Sequence, residues 1–236
     1  MNEKTKGYLF INLKTYLEGS GEKALELCKT CDSIKRKFKL CEIVIISQVA
    51  DIYRLSSKCK TKVFSQHVDI TKPGAYTGKV LFQTVKDAGA KGILINHSED
   101  QRTIHEISEL INACKKNDLT SLVCTINEET AQAIAQLNPD FIAIEPPELI
   151  GTKTSVSTAK PHLIEKTVKY IKSINPNIKV LCGAGIHSKK DVTRALELGS
   201  DGVLVASALV KPKNRSKKIL EMCEAIEQFF EKKKKY

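Results

Sequence analysis

Tryptophan is absent from these 236 residues, and aromatic side chains of every kind make up only 6% of them. With so few rings between the basic residues, the chain has no stacking surface for nucleic-acid bases, although 38 Lys and Arg against 27 Asp and Glu give a formal net charge of +11. Those cations are spread along helix faces. The mild positive field suits a small phosphorylated substrate, and no nucleic-acid partner is expected. The tail Glu231-Lys232-Lys233-Lys234-Lys235-Tyr236 reads as a solvated helix end.

Long apolar runs are missing too. No segment approaches the roughly 20 residues that cross a bilayer, and Met1-Asn2-Glu3-Lys4-Thr5-Lys6 carries no apolar signal region. No membrane partner is expected, and a reducing cytoplasm is the expected location. No Pro/Gly/Ser-rich linker or break in composition divides the chain, so residues 1–236 are expected to form one domain. No Gly-x-Gly-x-x-Gly follows the first predicted strand, which counts against a dinucleotide fold. No His, Cys and carboxylate cluster has metal-ligand spacing, and neither metal nor other cofactor is expected. Cys28-Lys29-Thr30-Cys31 has the C-x-x-C spacing without a second pair, and its thiols sit at i and i+3 of an amphipathic segment. They read as buried helix thiols, and Cys41, Cys59, Cys114, Cys124, Cys182 and Cys223 as small core hydrophobes.

What is present is a recurrence of short β-branched runs separated by helical patterns. Eight runs can be traced: Tyr8 to Leu13, Glu42 to Ser47, Lys62 to Gln66, Gly92 to Asn96, Ser121 to Ile126, Phe141 to Glu145, Lys179 to Gly183 and Gly202 to Ala206. Ile43-Val44-Ile45-Ile46 and Val203-Leu204-Val205 are continuously apolar rather than alternating, as strands buried on both faces are, and parallel pairing follows. Helical periodicity covers Gly21 to Lys37, Asp51 to Leu55, Ile104 to Lys116, Pro161 to Ile174, Ser188 to Leu198 and Ser216 to Glu231, with Pro161 suited to a first helical position and Gly199 to a stop. Eight strand-helix units in this length predict an α/β fold of the closed (β/α)8 barrel kind, whose active sites lie at the carboxyl ends of the strands.

Three of those ends carry proton chemistry. Phe141 to Ile144 closes on Glu145, followed by Pro146-Pro147-Glu148-Leu149-Ile150-Gly151-Thr152, a stiff-then-flexible loop that reads as a lid over a base. Tyr8 to Ile11 runs into Asn12-Leu13-Lys14, and Gly92 to Ile95 into Asn96-His97-Ser98-Glu99. A lysine, a histidine and a glutamate on three strands can move a proton beside a carbonyl. His97 is expected beside a helix opening at Ser98-Glu99-Asp100, whose positive end would favour a neutral imidazole. Glu99 and Glu148 read as supporting charges, and His67, His105, His162 and His187 as structural or exposed. The small residues of Cys182-Gly183-Ala184-Gly185-Ile186 and Ala206-Ser207-Ala208, after strands seven and eight, let backbone N–H groups approach a phosphate. Lys179 begins its strand too early to serve as a Schiff-base lysine, which disfavours an aldolase.

Taken in order with Gly74-Ala75-Tyr76-Thr77-Gly78, these segments resemble triosephosphate isomerase over nearly the whole chain, and its short archaeal-type branch in particular. The resemblance implies interconversion of dihydroxyacetone phosphate and D-glyceraldehyde 3-phosphate through an enediolate, in glycolysis and gluconeogenesis. By position it implies Glu145 as base, His97 as the neutral electrophile that the family pairs with it, and Lys14 as stabiliser of the developing charge, with Asn12 and Leu13 beside it. Asn12, Leu13, Lys14, Ile150, Gly151, Gly185, Ala206 and Ser207 would hold the substrate. It also implies a homo-oligomer, a tetramer rather than a dimer. Lys153 stands where the family usually has glycine, Lys79 replaces a common acidic residue, and the lid aromatic of longer members is absent.

Overall fold

The computed structural model describes residues 6–146 and 156–234. Eight parallel strands among them close into a barrel in chain order: β1 (Gly7–Asn12), β2 (Cys41–Ser47), β3 (Lys62–Ser65), β4 (Gly92–Ile95), β5 (Thr120–Thr125), β6 (Phe141–Ile144), β7 (Lys179–Cys182) and β8 (Gly202–Val205). Leu9 of β1 is opposite Ile43 of β2 on one side and Val203 of β8 on the other, and this second pairing completes the ring. Around it lie α1 (Gly21–Lys35), α2 (Ile52–Ser56), α3 (Phe82–Asp87), α4 (Ile104–Lys116), α5 (Glu128–Gln136), α6 (Val156–Ala159), α7 (Pro161–Ile174), α8 (Lys189–Glu197), α9 (Ser207–Val210) and α10 (Arg215–Lys233).

The continuous apolar runs are explained by two cores that share the same strands. Phe10, Val44, Ile46, Phe64, Leu94, Leu122, Phe141, Leu181 and Leu204 fill the barrel interior, while alternate residues such as Leu9, Ile11, Ile43, Ile45, Val203 and Val205 face the helices. Because successive side chains of a strand point to opposite faces, a strand with apolar matter on both sides has no polar positions to show. Every residue of β4, β6 and β8 is buried accordingly. The interior is keyed by aromatic edges: the Phe10 ring meets Phe64 at 5.4 Å and Phe141 at 5.2 Å between centroids.

Local signals set the element ends. Pro161 opens α7. Ser188 caps α8 by accepting from the Asp191 N–H while Asp191 returns the bond. Gly199, at φ +95°, leaves α8 through the left-handed region. The eight cysteines are free thiols, Cys28 and Cys31 buried on α1 as their spacing suggested. Cys59 departs from the expectation: it is only half-buried, at the edge of the outer core beyond α2, where the helical layer ends. No helix among the described residues is long and apolar enough to cross a membrane.

Candidate active site

Because all eight strands run the same way, the residues that follow them meet at one end. Asn12, Lys14, His97, Glu145, Gly183, Gly185, Ala206 and Ser207 line a single pocket there, with Tyr16, Ile186 and His187. Of the positions expected from sequence, Leu13 lies apart: its side chain is fully buried in the outer core, and its N–H donates to Ile46 at 2.9 Å. Ile150 and Gly151 fall outside the described residues, as do Pro147, Glu148, Leu149, Thr152 and Lys153; of the expected lid only Pro146 is described, and it is buried.

Lys14 sits just past β1 with φ +48°, a left-handed conformation that costs a lysine energy unless its neighbours fix it. They do so through Asn12. The buried Asn12 Oδ1 accepts the Lys14 N–H at 3.0 Å and the Gln66 Nε2–H at 3.2 Å, and Gln66 also donates to the Lys14 carbonyl at 3.1 Å. The side chain then reaches across to the end of β4, where Nζ pairs with Glu99 Oε1 at 2.7 Å. Asn96, also left-handed at φ +61°, donates from Nδ2 to the Cys124 carbonyl at 3.0 Å and accepts the Arg102 N–H at 2.9 Å. This clamp turns the chain so that His97 enters the pocket, with only 6% of its surface exposed.

The tautomer of His97 follows from its bonds rather than from a helix. The expected helix at Ser98 is not there: those residues form a turn, and α4 starts at Ile104 behind a Thr103–Glu106 capping box. The turn supplies what the helix end was expected to supply. Glu99 N–H donates to His97 Nδ1 at 3.1 Å, so Nδ1 is the unprotonated nitrogen and Nε2 carries the hydrogen. Nε2 faces Glu145 Oε2 at 3.7 Å, too far for a hydrogen bond, and both groups open on the same space.

Glu145 is held by β6 and its neighbours. Its N–H donates to Thr125 at 2.8 Å, it is 4% exposed, and Oε2 has no hydrogen-bond partner among the described residues. An unpaired buried carboxylate oxygen is costly, which marks it as kept for something that arrives later. Beside it, burial first and then the charge of Glu145 push the Cys124 thiol far above its ordinary range, so the thiol keeps its hydrogen next to the carboxylate. Gly183 closes in from β7: a Cβ there would lie 2.4 Å from Glu145 Cγ and 2.9 Å from its Oε1. Gln66, Cys124, Gly183, Tyr16 and His187 are thus parts of the site that strand ends alone did not single out. Only the small-residue signal after β7 pointed toward one of them.

The chain as a whole is similar to known proteins. A family profile described as triosephosphate isomerase matches residues 7–226. The chain is 48% identical to the triosephosphate isomerase of Methanobrevibacter smithii over 214 residues, 91% of this chain and 96% of that protein. It is 44% identical to that of Methanocaldococcus jannaschii, covering 92% and 99% of the two chains, and 44% identical to that of Methanobacterium bryantii, covering 96% and 100%. With its closed barrel and its acid, imidazole and ammonium groups at one rim, the chain belongs to the triosephosphate isomerase family, whose members interconvert dihydroxyacetone phosphate and D-glyceraldehyde 3-phosphate.

Proposed function

We propose that Glu145, His97 and Lys14 carry out this isomerisation, with Glu145 as the base. The observation that carries the assignment is the buried Oε2 of Glu145, without a hydrogen-bond partner among the described residues and set opposite the Nε2–H of His97 across a pocket whose wall includes Lys14. Glu145 takes the proton from the carbon beside the substrate carbonyl. The C–H electron pair moves into the carbon–carbon bond, and the carbonyl oxygen gains the negative charge of an enediolate. His97 donates to that oxygen from Nε2 and takes the hydroxyl proton of its neighbour. Glu145 returns its proton to the adjacent carbon, and the carbonyl has changed places. Lys14, oriented by Asn12, offsets the developing charge at a site that excludes much of the water.

Gly185, Ala206 and Ser207, with Ile150 and Gly151 of the expected lid, hold the phosphate dianion. Gly185 has φ +67° and no side chain, and Ser207 opens α9, where N–H groups lack an intrahelical acceptor. Residues 1–236 act as one domain in the cytoplasm, where their free thiols persist. A homo-oligomer is supported by exposed apolar side chains on adjacent units, Leu17 after β1, Val49 and Tyr53 after β2, Ile70 and Tyr76 after β3, and the resemblance to the archaeal-type branch favours a tetramer over a dimer. The test of the base is Glu145→Gln, which keeps the shape and loses the proton acceptor. Isomerisation in a coupled assay is expected to fall by at least 10² to 10⁴-fold, on the order typical of a positioned base, while a phosphate-bearing inhibitor still binds. A variant that retains near-full activity refutes the assignment.

A further inference from the structure

Gln66 has no assigned part in the proton transfers, yet its carboxamide gathers three acceptors around Lys14. Its own main chain is fixed: it follows β3 directly, and its N–H donates to the Ser47 carbonyl at 3.1 Å. From that anchor Nε2 lies 3.2 Å from Asn12 Oδ1, 3.1 Å from the Lys14 carbonyl oxygen and 3.3 Å from the Ile46 carbonyl oxygen. Two of these partners are main-chain carbonyls, and the third is fixed as oxygen because the Lys14 N–H donates to it at 3.0 Å. The amide therefore turns its nitrogen toward the ends of β1 and β2, since its oxygen would meet only other acceptors there.

The consequence is felt at Lys14, whose φ of +48° is one that a lysine leaves when nothing holds it. Asn12 holds the N–H before its Cα and Gln66 the carbonyl after it, so both peptide planes that set the turn are tied, and Gln66 also steadies the Asn12 oxygen. A lysine released from the second tie relaxes toward negative φ, and its Cβ swings with it. We propose that Gln66 is a positioning residue for Lys14: its carboxamide holds the left-handed turn from which the ammonium is presented to the pocket. The proposal rests on the reading of Lys14 as the group that offsets the enediolate charge. Gln66 is not among the described residues that line the active pocket with Lys14, His97 and Glu145; it lines the adjoining cavity with Asn12, Thr15 and Glu99, and so acts through Lys14 rather than on the substrate.

A double-mutant cycle separates positioning from a general structural role. The kcat in the coupled assay is measured for the unaltered chain, Gln66→Met, Gln66→Glu, Lys14→Ala and the pair Lys14→Ala with Gln66→Met, and circular dichroism shows that each folds. Gln66→Met keeps the length and loses the donors; it is expected to lower kcat by roughly 10 to 10²-fold, the scale of a misplacement of about 1 Å. Gln66→Glu sets acceptors against acceptors and is expected to lose at least as much. In the Lys14→Ala background, where no ammonium is left to place, Gln66→Met is expected to cost less than about twofold, whereas a stapling role for the strand ends would carry its full loss into that background. If Gln66→Met or Gln66→Glu keeps near-full kcat, or the loss appears in full on top of Lys14→Ala, Gln66 does not position Lys14. If Lys14→Ala itself keeps near-full activity, the reading of Lys14 falls, and this proposal with it.

Discussion

Replacing Gly183 by alanine adds one methyl group against the side chain of Glu145, the proposed base. The new Cβ would stand 2.4 Å from Glu145 Cγ and 2.9 Å from both Cδ and Oε1, where carbon atoms normally rest about 3.5 to 4.0 Å apart. Something must give by about 1 Å. The Gly183 main chain is tied, its N–H donating to the Ile144 carbonyl at 3.0 Å, and the Glu145 N–H is tied to Thr125 at 2.8 Å. The freer atoms are those of the Glu145 side chain beyond Cβ, so the carboxylate is the part displaced. A misplacement of about 1 Å in a reacting group costs on the order of 10²-fold, or about 2.7 kcal/mol in the barrier. In the coupled assay, Gly183→Ala is thus expected to lower kcat about 10²-fold. Calorimetric affinity for a phosphate-bearing inhibitor should stay within a few-fold, and the circular dichroism should be unchanged. A kcat within a factor of about three of the unaltered chain would show that the carboxylate needs no fixed position against β7.

Charges and thiols elsewhere around the barrel give two further expected outcomes. Burial alone would raise the Asp69 carboxyl, but the Val80 N–H, Lys79 and His67 outweigh it and hold it at about 2, below its ordinary 3.8. A depressed carboxyl contributes stability that is present above its unfolded value and lost as pH falls toward the folded one. Asp69→Asn is expected to cost on the order of 1 to 2 kcal/mol at neutral pH, with the difference from the unaltered chain shrinking between about pH 4 and 2, as denaturant titrations at several pH values would show; an equal loss at every pH contradicts it. Of the eight free thiols, Cys59 alone is half-exposed, and burial pushes even this one up. A disulfide reagent should therefore modify one thiol slowly in the folded protein and the rest only on unfolding; rapid reaction of several would contradict the burial of Cys28 and Cys31 on α1 and of Cys124 on β5.

The residues themselves determined the number of units, their order and the end of the barrel at which Lys14, His97 and Glu145 gather. Eight β-branched runs without polar alternation can be satisfied only by strands with apolar matter on both faces, and Lys14, His97 and Glu145 each follow such a run. Capping chemistry is local as well, so Pro161, Ser188 and Gly199 mark the helix ends where sequence placed them. Contacts that cross the ring had no such signature. The Lys14–Glu99 pair spans 85 residues, and Gln66 reaches Asn12 across 54, by bonds that exist only because β1 to β4 curve around one axis. The approach of Gly183 to Glu145 arises from the pairing of β6 with β7, and the thiol beside the base from β5 with β6. His97 shows the division most plainly. Its place after a strand was legible, but the group that fixes its tautomer is a turn amide, because Asn96 reverses the chain through a left-handed conformation and starts the helix later. Periodicity reports which face of an element is buried; which side chains then meet is set by strand register and closure, and these belong to the whole barrel.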